Sequence, residues 1–178
     1  ETRAALTPST AKILVDKGIE VKVEKGIGKL SGYEDQDYLD AGAQVLSDRL
    51  GALSKSDIVF RVRKPSIEEI ETTKEGCIHL SFLDPFNDPE SLNAMASNGV
   101  TGVSLEMIPR TTLAQKMDAL SSQANIAGYT SVIYAAERLD KVLPMMMTPA
   151  GTISPAKFFV IGIGVDGLQA IATAKRLG

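Results

Sequence analysis

The sequence has little cysteine, no long apolar run and no excess of basic charge. Cys77 is the only cysteine in 178 residues, so an internal disulfide is excluded, and a small buried core residue is the simplest explanation of it. No apolar run approaches the roughly 20 residues that span a bilayer. The first ten residues lack the basic and then apolar build of a secretory signal. We therefore expect a soluble chain.

Charge and composition narrow the function further. Lysine and arginine number 19 against 22 acidic residues, a net charge of −3, which gives no electrostatic footprint for nucleic acid or for an anionic membrane. With 44% hydrophobic and 23% charged residues the chain is expected to fold, and its length suits one domain and part of another. No metal site is predicted.

Strand-like and helix-like segments alternate through the first hundred residues. Strands are predicted at 19–23, 43–46, 57–62, 77–82 and 100–106, and helices near 7–17, 35–41, 47–53, 66–73 and 88–98. Parallel strands need a crossover to return, so this alternation favours a mainly parallel sheet with helices on both faces. The predicted fold class is α/β.

The pattern changes after Pro109. Residues 117–139 predict a helix of more than 20 residues, long enough to connect two domains. Residues 144–155 are a connection punctuated by proline and glycine, and a new strand is predicted to begin at Ala156. We predict an N-terminal domain at 1–109, a loop, interdomain helix and linker at 110–154, and the start of a second domain at 155–178.

Three glycines follow that predicted strand with the spacing G-x-G-x-x-G: Gly162, Gly164 and Gly167. In a dinucleotide-binding unit the first permits a tight turn, the second admits a pyrophosphate and the third lets helix and strand pack closely. The acidic residue expected about 20 positions later would lie beyond Gly178, so this criterion does not separate NAD from NADP. Asp166 places a carboxylate in the turn, and we expect it to point outward, because inward it would repel a phosphate.

A second polar cluster precedes the long helix. It consists of Arg110, Gln115, Asp118 and Ser121, and the last two are one helical turn apart. From its spacing alone, this cluster could line one end of a ligand-binding cleft. It could equally be an acid that caps the helix, with a solvent-exposed arginine beside it.

These segments carry a family resemblance. The Arg110, Gln115 and Asp118 loop followed by ALSSQANIAGY, the TRAALTP segment at 2–8 and PMMMTPAGTISPAKFFVIGIG at 144–164 resemble the alpha subunit of the proton-translocating NAD(P) transhydrogenases, which are related to alanine dehydrogenase. The resemblance covers essentially the whole chain. It implies two Rossmann-like domains joined by the long helix, the second only partly present, with a cofactor cleft between them.

The resemblance also implies a site and its partners. NAD(H) would bind this chain and NADP(H) a partner subunit, with hydride passing directly between the rings. Gln115, Arg110 and Asp118 would position the reacting ring. The implied cofactor contacts are Arg110, Thr111, Thr112, Gln115, Asp118 and Ser121 at the nicotinamide and ribose, and Gly162, Gly164, Val165 and Gly167 at the pyrophosphate. Asp166 and Pro149 depart from the small residue and the alanine usual in the family.

The implied assembly includes the NADP(H)-binding subunit, a membrane subunit and a second copy of this chain. Its place would be the cytoplasmic face of the inner membrane in a bacterium, or the matrix side in a mitochondrion. Direct hydride transfer needs positioning and exclusion of water, so a proton donor is not required.

Two other functions are considered. Alanine dehydrogenase shares the TRAALTP segment, but by resemblance it needs a lysine where Arg61 and Arg63 lie and a histidine where Asp84 lies. His79 is about five positions early and is expected to be structural. A non-catalytic NAD-binding module is the second alternative. Arg3 fits a cleft or a solvated surface equally well.

Overall fold

The computed structural model describes all of residues 1–178, which group into two units, Glu1–Ile108 and Pro109–Gly178. The first unit contains the strands β1 (Lys22–Glu24), β2 (Gln44–Leu46), β3 (Ile58–Arg63), β4 (Ile78–Phe82) and β5 (Thr101–Ser104). Its helices are α1 (Pro8–Val15), α2 (Asp35–Asp40), α3 (Arg49–Leu53), α4 (Ile67–Thr72) and α5 (Pro89–Ser97), with short 3₁₀ helices at Lys29–Ser31 and Leu105–Met107.

Helix α1 begins where its capping residues place it. The Thr10 N–H donates to the Thr7 hydroxyl at 3.3 Å, and Pro8 occupies the first helical position, where a missing N–H costs nothing. Gly18 lies beyond the end of the helix with a φ of +82°, a left-handed conformation that glycine adopts without steric cost. These local signals account for the match between the predicted and observed helix.

All strand pairs of the first unit are parallel. Strand β1 pairs with β2, and β3, β4 and β5 form a three-stranded sheet in that order. The predicted mainly parallel arrangement is confirmed, although the strands form two hydrogen-bonded sheets and not one.

Helices cover one face of the three-stranded sheet. Ile70 of α4 and Met95 of α5 pack with Leu83, which follows β4. The opposite face carries the register pair Ile58 and Ile78, which are 48% and 40% exposed. Both crossovers step in the same direction along the sheet and right-handed crossovers dominate, so both helices lie on the same side. The expectation of helices on both faces is therefore wrong for this sheet.

The second unit contains α6 (Ala119–Arg138), the strands β6 (Met146–Thr148) and β7 (Gly151–Ile153), and α7 (Val165–Arg176). Helix α6 has 20 residues and follows a 3₁₀ helix at Gln115–Met117, so it begins two residues later than predicted. Asp118 has a non-helical ψ of 85° and caps α6, which sets this start.

Two predictions for the second unit are wrong. Residues 144–155 are not a plain connection, because β6 and β7 form an antiparallel hairpin in which Thr148 pairs with Gly151. The predicted strand after Ala156 is absent, since no second strand of the structure lies beside that segment, and a strand exists only through its partner. Phe159 and Ile161 in this segment are each 90% exposed.

Candidate functional site

A cavity of about 530 Å³ lies in the second unit between α6 and the turn that leads into α7. It is formed by three kinds of residue: polar side chains, glycines of the turn, and small or apolar side chains. They are Arg110, Leu120, Ser121, Ala124, Ser131, Val160, Ile161, Gly162, Gly164, Val165, Asp166, Gly167 and Ala170.

The glycine turn has the geometry that its spacing predicts. Gly162 has a φ of +97°, a conformation that favours glycine. Gly164 caps α7, and a Cβ built on it would meet no atom within 4 Å, so the space beside its backbone is open. A Cβ on Gly167 would contact the Gly162 carbonyl oxygen, so only glycine fits there. The first N–H groups of a 12-residue helix adjoin this open space and suit an anion.

Asp118 and Ser121 form a cap at the start of α6. The Ser121 N–H donates to Asp118 Oδ1 at 2.9 Å, and the Ser121 hydroxyl donates to Oδ2 at 2.7 Å. These two hydrogen bonds, with attraction from the Arg110 guanidinium, hold the pKa of the Asp118 carboxyl below its usual range. Since the Ser121 hydroxyl donates its proton to Asp118, it can act toward a ligand in the cavity only as an acceptor.

The structure brings six of the predicted site residues to the cavity wall: Arg110, Ser121, Gly162, Gly164, Val165 and Gly167. The other four predicted residues do not line it. Thr111 accepts a hydrogen bond from the Ala114 N–H at 3.3 Å, Thr112 is exposed, Gln115 is exposed in the 3₁₀ helix, and Asp118 reaches the cavity only through Ser121.

Of the residues on α6, only Ser121 was predicted from the sequence, and the rest of the helix face at the cavity was missed. Ser121, Ala124, Gly128 and Ser131 follow one another at spacings of three and four and therefore lie on one helix face. Three of them line the cavity, and Gly128 is buried against Asp166 of α7. A run of small residues at helical spacing is a sequence signal that could have identified this wall.

Asp166 lies in the first turn of α7 and forms part of the cavity wall. A Cβ built on Gly128 would contact the main-chain carbonyl of Asp166 and come within 2.8 Å of its Oδ1. The carboxylate therefore faces α6 beside the glycine turn. The expectation that it points outward, away from the cavity, is wrong.

The first unit holds the residues considered for proton transfer. His79 is 1% exposed within β4, and burial together with the Arg61 guanidinium lowers its pKa to about 4. Asp84 has a φ of +52°, and its N–H donates to Glu106 Oε1 at 2.9 Å. Burial places His79 out of reach of a substrate, in agreement with a structural role. Arg61 is tied to Glu69 at 2.6 Å.

Comparison with known proteins identifies the family. Residues 1–127 match the alanine dehydrogenase/PNT N-terminal domain, and residues 131–178 match the C-terminal domain of the same family. The chain belongs to the alanine dehydrogenase/PNT family. This confirms the fold class and the family that the sequence resembles.

Within this family the chain is more similar to transhydrogenases than to alanine dehydrogenases. It is 46% identical to an NAD(P) transhydrogenase alpha subunit of Rickettsia prowazekii over all of this chain and 48% of that protein. The crystal structure of transhydrogenase from Sinorhizobium meliloti matches with a TM-score of 0.94 and 47% identity, over all of this chain and 53% of that one. An L-alanine dehydrogenase structure matches with a TM-score of 0.84 and 27% identity, over 49% of its length. The chain thus spans about half the length of these relatives.

Proposed function

We propose that this chain is the NAD(H)-binding component of a proton-translocating NAD(P) transhydrogenase, in which hydride passes directly between NADH and NADP⁺ held by a partner subunit. The observation that supports this most is the cavity where Arg110 and Ser121 meet the glycine turn, in a chain 46% identical to a transhydrogenase alpha subunit. The similarity to that subunit supports the transhydrogenase function. The geometry of the cavity supports the dinucleotide site.

The phosphate end of the proposed site is the turn before α7. Gly164 and Val165 present main-chain N–H groups at the start of this helix, and the open space beside Gly164 admits a pyrophosphate. Gly162 allows the tight turn, and Gly167 allows the start of α7 to pack closely against that turn. Together they fix the position of those N–H groups. These groups fit the anionic part of a dinucleotide.

The proposed nicotinamide end is the loop before α6. Arg110 offers up to five N–H donors for the carboxamide or ribose, and Ser121 offers an acceptor whose orientation Asp118 fixes. In this proposal Arg110 and Asp118 hold the ring orientation. Thr111, Thr112 and Gln115 lie on the exposed side of the same loop, where Gln115 would extend toward the second nucleotide.

Bound NADH supplies the hydride, so the chain's own residues need only position the cofactor and limit access of water. Ile161 and Leu120 in the cavity wall, which are 90% and 39% exposed, offer apolar surface to the cofactor. A proton-transfer residue is not required.

The proposed assembly contains an NADP(H)-binding subunit, a membrane subunit and a second copy of this chain. None of the helices combines the length and the hydropathy that a membrane-spanning helix needs. We place the chain peripherally, at the cytoplasmic face of a bacterial inner membrane or on the matrix side of a mitochondrial one. The hairpin is a candidate dimer contact, because Met146, Met147 and Ile153 are 43%, 84% and 36% exposed.

The test compares two reactions. The first is reduction of an NAD analogue by NADPH with the NADP(H)-binding subunit present, and the second is reduction of NAD⁺ by L-alanine with this protein alone. We expect activity in the first and none in the second, and Arg110→Ala should lower the first at least about tenfold by loss of charged hydrogen bonds. Activity only with L-alanine would identify an alanine dehydrogenase. Nucleotide binding without either activity would identify a non-catalytic module.

A further inference from the structure

Asp166 is the one acidic side chain in the cavity wall, and it lies where the proposed site would receive the phosphates of a dinucleotide. The residue lies in the first turn of α7, beside the N–H groups that would receive a pyrophosphate. Two negative phosphates and a carboxylate repel one another when they share such a site. An acid in this place would therefore oppose the binding of a pyrophosphate.

Asp166 has no charged partner among its neighbours. It is exposed, and its Oδ1 faces Gly128 of α6, which has no side chain to donate a hydrogen bond. None of the salt bridges of the chain includes Asp166. Arg110 is the one basic residue in the cavity wall, and it is near enough to Asp118 to lower the pKa of that carboxyl. The helix dipole favours an acid in the first turn, so α7 tolerates Asp166 without a partner.

We propose that Asp166 tunes the site for rapid cofactor exchange, by weakening the hold on the pyrophosphate and speeding its release. This inference rests on the proposed dinucleotide site but not on hydride transfer. A chain that exchanges its bound dinucleotide repeatedly gains from fast release, since ligand release limits the turnover of many nucleotide-binding enzymes.

The magnitude follows from Coulomb's law. A carboxylate about 6 Å from a phosphate, at an effective dielectric constant between about 40 and 80, changes the dissociation constant by about three- to tenfold. Because the repulsion acts on the bound ligand, most of the change should appear in the dissociation rate. Salt should reduce it, since exposed charges are screened beyond a Debye length.

The experiment measures NADH and ADP-ribose binding to wild type, Asp166→Asn and Asp166→Ala. ADP-ribose carries the pyrophosphate without the nicotinamide. We expect both variants to bind both ligands about three- to tenfold more tightly, with slower dissociation, and the gain to shrink between about 0.02 M and 0.5 M salt. Asp140→Asn is the matched control, because Asp140 is exposed in the same unit and does not line the cavity.

Several outcomes would overturn the inference: unchanged or weaker binding in Asp166→Asn, an equal gain in Asp140→Asn, or a gain that salt does not reduce. Absence of nucleotide binding in wild type and in every variant would overturn it together with the proposed site. Tighter ADP-ribose binding in a protein that transfers no hydride with its partner subunit would leave this inference standing and remove the proposed transhydrogenase function.

Discussion

His79 is a single residue that makes the first unit sensitive to acid. It is 1% exposed, its Nε2 has no hydrogen-bond partner, and burial and then the Arg61 guanidinium lower its pKa to about 4. In an unfolded chain the pKa of a histidine is about 6.5. Above pH 6.5 both states are neutral, and as the pH falls from about 6.5 to 4 only the unfolded state takes up the proton.

We therefore predict that the free energy of unfolding falls between pH 6.5 and 4, by roughly 3 kcal/mol at about 1.4 kcal/mol per unit of pKa difference. Urea unfolding at a series of pH values measures this. His79→Leu should flatten that part of the curve and cost little at pH 7.5, since Nε2 makes no hydrogen bond that the variant would lose. A curve for His79→Leu parallel to that of wild type would contradict the prediction.

Carboxyl groups provide the internal comparison. Hydrogen bonds from Lys64 and Ser91 lower the pKa of Asp88 to about 2. Burial opposes a low pKa at Glu106, but hydrogen bonds from Ser104, Asp84 and Leu83 outweigh it and lower the pKa of this carboxyl too. Both groups therefore favour the charged form in the folded state. Their contribution to stability is present above their unfolded pKa values of about 4 and is lost at lower pH. The loss of stability caused by His79 begins near pH 6.5, and the loss caused by these carboxyl groups begins near pH 4. A single pH titration of stability can therefore separate the two effects.

The contact between helices α6 and α7 depends on Gly128. Alanine is the better helix former by about 1 kcal/mol, so at an unconstrained position Gly128→Ala would stabilise α6. Here the added Cβ would contact the Asp166 carbonyl, and the helices would have to separate. We predict a net loss of about 1–3 kcal/mol, typical of overpacking, together with weaker NADH binding.

Thermal unfolding followed by circular dichroism, with an NADH titration, checks this. Ala127→Gly is the matched control, because residue 127 is exposed on the same helix and should lose only the propensity difference without affecting binding. A more stable Gly128→Ala variant with normal affinity would show that the helices are not in close contact there.

Local signals predicted some elements well and others poorly. Helix α1 follows from Thr7, Pro8 and Gly18, whose capping and turn preferences act within a few residues. The hairpin at 146–153 was missed because MMTPAGTI has no alternation of apolar and polar residues and its pairing is specified only by the folded chain. The strand expected after Ala156 failed for the related reason that strands need partners.

The same distinction applies to the candidate site. The glycine turn was predictable, because Gly162 and Gly167 are required by the local backbone and by one close contact. Ser131 was overlooked, although it continues the run of small residues on α6 at helical spacing. The orientation of Asp166 was not predictable, since it depends on the packing of α6 against α7, which no local pattern encodes. Site features that arise only from tertiary packing are therefore the ones that local sequence patterns do not predict.

The buried apolar residues are unequally divided between the two units of residues 1–178. The first unit contains one cluster around Tyr38 and a second around Ile70 and Leu83. The cluster of the second unit consists of Val132, Ala170 and Ala174, two of which have the smallest apolar side chain. Opening free energies follow the amount of buried apolar contact, so the second unit should open more often.

We predict that amide hydrogens of α6 and α7 exchange at least about tenfold faster than those of β3, β4 and β5, measured by hydrogen exchange with mass spectrometry at pH 7. Because a ligand stabilises the state that binds it, saturating NADH should slow exchange at residues 162–170 and at the start of α6, and leave β4 unchanged. Equal exchange in both units would contradict the inference from core size. Protection confined to the first unit would show that the nucleotide binds away from the glycine turn. The candidate site would then be wrong.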